Sequence, residues 1–168
     1  MPPSTHNEFG KPMDLNTALD YALLPDGDDR AVAPLLSHGA KITIGAFSTA
    51  ALRDNTFALQ AFHDHGWDVN STEFGEPMIA VNSEAQVQWL LKNGADPNIR
   101  NNKGVSPLVT ACLQSSTKIL ELLVSHGAKL EPSALFTAMS PRGGGGLPIM
   151  TFLVDHGVDV NAKQKLWG

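Results

Sequence analysis

The sequence predicts an all-α protein, a solenoid of antiparallel helix pairs joined by short β-hairpin-like fingers, and three observations predict it. Five glycines, Gly39, Gly66, Gly94, Gly127 and Gly157, close variants of one phrase: PLLSHGAKI, AFHDHGWDV, WLLKNGADP, LLVSHGAKL and FLVDHGVDV. Large apolar residues stand four and three positions before most of these glycines, with Phe62-His63 the exception. Apolar residues at helical spacing, then a polar residue and Gly, describe a helix that stops in a left-handed cap. Between the glycines lies a second, shorter helix signal, with an alanine near the end of its first turn: Ala22, Ala50, Ala80, Ala111 and Ala138. Self-similarity of this kind marks an array whose units bury their apolar faces only against neighbours.

The elements follow in order. Residues 1–14 read as an irregular cap, in which EFGKPM echoes the later EFGEPM. A first helix is expected over residues 13–24, an acidic loop over 25–29, and a second helix running into Gly39. Repeats then fall at about 15–43, 44–72, 73–100, 101–132 and 133–161, with the start of another at 162–168. The helix pair is nearly constant in length: 20 residues separate Ala46 from Gly66, and 20 separate Pro107 from Gly127. Ser106-Pro107 supplies an N-cap followed by proline at the first helical position. The surplus in the last pair coincides with PRGGGG, residues 141–146, which reads as a flexible insertion.

The connection to the next repeat comes in two sizes. Gly66 to Pro77 spans 11 residues and Gly94 to Pro107 spans 13, room for a finger. Gly39 to Ala46 and Gly127 to Ala134 span only 7, so tight turns without fingers are expected there. Fingers are therefore expected after repeats two, three and five.

The totals bound the function. With 168 residues, 42% hydrophobic and 17% charged, the chain has enough apolar material for one sizeable core and is unlike a disordered segment. A net charge of −5 argues against a general nucleic-acid binder. No apolar run approaches a membrane span, and MPPSTHNEFGKP has neither the basic start nor the apolar stretch of a signal peptide. One cysteine, Cys112, precludes an internal disulfide and fits a reducing compartment, so an intracellular, cytoplasmic location is expected. The Asn70-Ser71-Thr72 sequon is then idle.

Residues 101–133, NNKGVSPLVTACLQSSTKILELLVSHGAKLEPS, closely resemble an ankyrin repeat. They have that family's 33-residue period; SPLVTA stands for its TPLHxA, and GADPNIRNNKG resembles its hairpin finger. The resemblance extends over about residues 15–168 and implies an ankyrin-repeat solenoid. It also implies a non-catalytic module that binds another protein on a concave surface of first helices and fingers. Carried onto this chain, the partner-binding positions are Thr72, Glu73, Phe74 and Glu76 in one finger, and Arg100, Asn102, Lys103, Val105, Leu113 and Gln114 in and beside the next. Phe74 would be an apolar anchor and Arg100 with Lys103 the charges, aromatic residues and arginine being the usual hot spots.

Candidate chemistry elsewhere is thin, and no cofactor or metal is expected. His38, His65, His126 and His156 each precede a cap glycine, but equivalent positions in successive repeats lie about 10 Å apart and form a row rather than a zinc cluster. A polar residue suited to the negative end of a helix explains them better. Ser115-Ser-Thr-Lys118 matches S-x-x-K, yet its S-D-N and K-T-G partners are absent; in register, Ser or Thr there caps the second helix of its repeat. Cys112 falls in the apolar stripe with Leu108 and Ala111 and reads as packing. The alternative function is an ankyrin scaffold that binds or converts a small molecule in its groove. The last helix, with Ile149, Met150, Leu153 and Val154, would lack a neighbour on its outer side. The chain thus reads as a piece of a longer array, part of a larger adaptor or regulatory protein, with self-association through that end as the other reading.

Overall fold

The computed structural model of the chain describes residues 14–53, 56–74, 83–113, 116–140 and 146–161. The expected N-terminal cap, the first helix after Pro77, the glycine run and the start of a further repeat lie outside the described residues. The described helices are α1 (Leu15–Ala22), α2 (Val32–Ser37), α3 (Ile44–Leu52), α4 (Phe57–Asp64), α5 (Glu84–Lys92), α6 (Pro107–Ala111), α7 (Thr117–Ser125), α8 (Pro132–Ala138) and α9 (Gly146–Asp155). The chain forms two compact units, Met1–Asp68 and Val69–Gly168. In the first, α1 packs on α2 and α3, and α2 on α4; in the second, α5 and α6 pack on α7, α6 on α8, and α9 on α7 and α8. Helices thus meet their pair partner and their counterpart in the next repeat, the contact pattern of a stacked array.

The five glycines do what their spacing predicts. Each has φ between +88° and +96°, the left-handed region that penalises any residue with a Cβ. The residue after each glycine donates its N–H back to a carbonyl five residues earlier: Ala40 to Leu35, Trp67 to Phe62, Ala95 to Leu90, Ala128 to Leu123 and Val158 to Leu153, at 2.9 to 3.0 Å. That 6→1 bond defines a Schellman stop. Its apolar contact is also present, because Ala40, Trp67, Ala95, Ala128 and Val158 are all buried.

The side chains before the glycines add a second bond to the stop. Nδ1 of His38, His65, His126 and His156 lies 2.8 Å from the carbonyl of Pro34, Ala61, Leu122 and Phe152 respectively, four residues back. Asn93 does the same with an amide, its Nδ2 donating to Trp89 O at 2.8 Å. The ring orientation makes Nδ1 the donor and satisfies one of the carbonyls a helix end leaves open. The row of histidines is a row of C-terminal caps.

Helix starts are equally local. The Asp14 carboxylate accepts from Thr17 N at 2.7 Å, which opens α1 and holds that carboxyl below its ordinary value. This cap and the buried Leu19 and Ala22 bound α1 at Leu15–Ala22, a turn shorter than the expected residues 13–24. Thr43 Oγ1 accepts from Ala46 N at 3.0 Å to open α3 and donates to Asp20 of α1 at 2.7 Å. Pro107 and Pro132 occupy the first turns of α6 and α8. The expected hydroxyl cap on α7 is not made: Ser116 sits at the cap position, but its hydroxyl donates to Glu84 Oε1 of α5 at 2.8 Å.

The core is filled by the residues between these signals. Ala22, Ala50, Ala111 and Ala138 are buried where paired helices approach, and Leu59, Phe62, Val87, Leu90, Ile119, Leu120, Leu123, Ile149 and Leu153 fill the remaining volume. Trp67 meets Phe47 and Phe62 edge-on, with ring centroids 5.9 and 6.4 Å apart, within the first unit.

Candidate interaction surface

The connection after Gly94 is a turn closed on itself, and the described residues contain no strand. Asn101 organises it: its Oδ1 accepts from Lys103 N at 3.0 Å and Val105 N at 2.9 Å, and its carbonyl accepts from Gly104 N at 2.9 Å. Gly104 has φ +74° and permits the reversal. A single bond from Asn101 N to Val105 O, 3.1 Å, is as near as the described residues come to a hairpin ladder. The turn holds Asn102 and Lys103 out in solvent.

Side-chain amides fasten each connection to the next repeat. Asn70 Oδ1 accepts from Asp96 N at 2.7 Å while its Nδ2 donates to Gly94 O at 3.1 Å. Asn98, 28 residues later, repeats this on Lys129 N (2.8 Å) and Gly127 O (3.0 Å). The asparagine of the sequon is thus a structural clasp. In the first unit Asn16 Oδ1 takes Lys41 N at 2.7 Å, one bond of the same kind. Where the connection is short, only His38–Thr43 and His126–Glu131 separate one helix pair from the next.

The proposed partner-binding positions divide. Thr72, Glu73, Asn102, Lys103 and Leu113 are exposed, and Phe74 and Val105 are half-buried; Glu76 and Gln114 lie outside the described residues. Arg100, expected to offer a charge to a partner, is already engaged. Its guanidinium donates to Gly104 O at 2.7 Å and pairs with Glu131 at 3.0 Å, bracing the turn against the start of α8. Two positions were missed from the sequence. Phe136 in α8 and Met139 just after it are 45% and 60% exposed, and Leu113, two residues past the end of α6, is 48% exposed; α6 and α8 pack on each other. Their signal was a large residue at a helix position facing away from the buried Ala134 and Ala138 stripe.

Cys112 is wholly buried, and burial pushes its thiol up to about 12, leaving it protonated and unreactive near neutral pH. Among the described residues no group of three or more His, Cys, Asp or Glu side chains could hold a metal ion. No described helix is long and apolar enough to cross a membrane.

Stacked helix pairs with repeated glycine stops and amide-clasped turns define a helical repeat protein. The ankyrin repeat model, in three copies, matches residues 77–164, and the chain belongs to the ankyrin repeat family. Among solved structures it is similar to the ankyrin repeat domain of Bcl-3, described as a unique member of the IkappaB protein family. The two are 28% identical over 87% of this chain and 72% of that one, with a TM-score of 0.69. No curated protein matches the sequence. Ankyrin repeats generally mediate protein–protein interaction, and the fold is generally a non-enzymatic binding module.

Proposed function

We propose that this chain is a non-catalytic interaction module that binds a partner protein through the first-helix and turn surface of its second unit. The carrying observation is the exposed apolar set of Phe136 in α8 with Leu113 and Met139 just past the ends of α6 and α8. Large exposed apolar side chains suit contact with a second protein. Lys103 and Asn102 supply a polar rim, with Thr72, Glu73 and the half-buried Phe74 on the preceding connection. Arg100 contributes by holding the turn in shape, so its replacement would alter both binding and the turn. Glu76 and Gln114 remain part of the proposed surface.

The test is affinity capture from extract of the source organism, comparing wild type with Phe136→Asp, Met139→Asp. Both positions are exposed, so the variant is expected to unfold at the wild-type urea midpoint while losing the captured partner. Equal recovery of the same proteins by both forms would remove this surface from the proposal.

A further inference from the structure

The two units carry charge very differently. Residues 1–68 hold nine Asp and Glu against four Lys and Arg, whereas residues 69–168 hold eight of each. The whole net charge of −5 therefore belongs to the first unit. Around α1 five carboxylates, Asp14, Asp20, Asp26, Asp28 and Asp29, meet two arginines, Arg30 and Arg53, which leaves a local balance of −3.

Three large apolar side chains of the same unit are exposed beside these charges. Tyr21 and Leu24 are one helical turn apart at the end of α1 and are 48% and 43% exposed; Leu52, at the end of α3, is 83% exposed. A built contact brings these ends together. Arg53, next to Leu52, reaches back so that its Nη1 donates to Leu23 O at 2.9 Å and Leu24 O at 3.0 Å, closing the end of α1. The same nitrogen pairs with Asp29 at 2.7 Å, with both side chains about one-fifth exposed, so the clamp is sheltered from solvent. Arg53 is thereby spent on structure, and Arg30 is bound by Asp28 through two bonds of 2.8 and 2.9 Å. The unit's two arginines are paired within the acidic loop, and its excess of carboxylates remains.

We infer that the α1–α3 face of the first unit is a second docking surface, specific for a basic polypeptide segment whose apolar side chains seat on Tyr21, Leu24 and Leu52. The apolar residues supply contact area, and the surrounding negative field attracts lysine and arginine and repels nucleic acid. This surface is distinct from the one proposed on the second unit, whose balanced charge makes no such selection.

The probe is a fluorescein-labelled amphipathic peptide of repeating Leu-Lys-Lys-Leu, compared by anisotropy with its Glu counterpart and with a Lys peptide of the same composition in scrambled order. The ordered Lys peptide is expected to bind roughly tenfold more tightly than either control, and more weakly as salt is raised. Tyr21→Ser with Leu52→Ser is expected to weaken it about tenfold. Asp26→Asn with Asp28→Asn is expected to flatten the salt dependence. Equal binding of ordered and scrambled Lys peptides, or no effect of the serine pair, would reduce the observation to unspecific charge attraction and overturn the assignment. Retention of peptide binding by Phe136→Asp, Met139→Asp keeps the site on the first unit, and its loss moves the site away from α1 and α3. Sedimentation of wild type as a dimer that the serine pair dissociates would make a second copy the occupant, against the proposal.

Discussion

Replacing Asn98 by alanine tests how the second unit is held together. The Asn98 amide makes two bonds to the following repeat, to Gly127 O at 3.0 Å and Lys129 N at 2.8 Å. Each such bond is worth about 0.5–1.5 kcal/mol net, and both acceptor and donor sit on exposed residues where water replaces part of the loss. Asn98→Ala should therefore cost about 1–2 kcal/mol, equivalent to roughly a tenfold change in the folding equilibrium. Asn98→Asp keeps the oxygen that accepts from Lys129 N and loses the donor, so it should fall between wild type and alanine. Asn102→Ala, on an exposed residue of the same turn, serves as the control and should stay within about 0.5 kcal/mol of wild type. Equilibrium urea unfolding followed by far-ultraviolet circular dichroism reads all three. A midpoint for Asn98→Ala that matches the Asn102→Ala control would show that the clasp contributes nothing and refute the reasoning.

Two further predictions concern other parts of the array. At His126, whose Nδ1 caps Leu122 O, alanine should destabilise by about 1 kcal/mol while asparagine is nearly neutral, because Asn93 does the same work on Trp89 O; thermal unfolding of the two variants decides it. The Cys112 thiol, raised by burial from its ordinary value of 9.0 to about 12, binds its proton more firmly folded than unfolded. Its contribution is therefore fully present below pH 9 and is lost as pH rises from there toward about 12. Cys112→Ala should flatten that alkaline decline in urea titrations, and native protein should react with a thiol reagent only as it unfolds.

Much of the fold was legible because its punctuation is local. A glycine stop needs only the residues within five positions of Gly127, and a proline at a helix start needs only Ser106-Pro107. The contacts that were not legible join residues about 30 apart. Ser116 to Glu84, Arg53 to Leu23, and Arg100 to Glu131 follow no period, since any of several polar side chains within reach could have served. That is why Arg100 read as a free charge for a partner, and why Asn70 read only as an idle glycosylation sequon. The binding surface was half legible for a related reason. A turn announces its exposed residues by composition, whereas Phe136 and Met139 look like core residues until the partner side of α8 is known.

The two kinds of connection give the second unit two ways to change over evolution. At His126–Glu131 the chain passes directly from one helix pair to the next. Recognition there can alter only by exchanging side chains mounted on α6 and α8. At residues 95–106 the backbone loops outward, fastened at its base by Asn98 and closed at its tip by Asn101 and Gly104. Residues could be inserted or deleted between those fastenings without shifting a helix. One stretch of surface is thus fixed in outline and variable in chemistry, while its neighbour is free to vary in both.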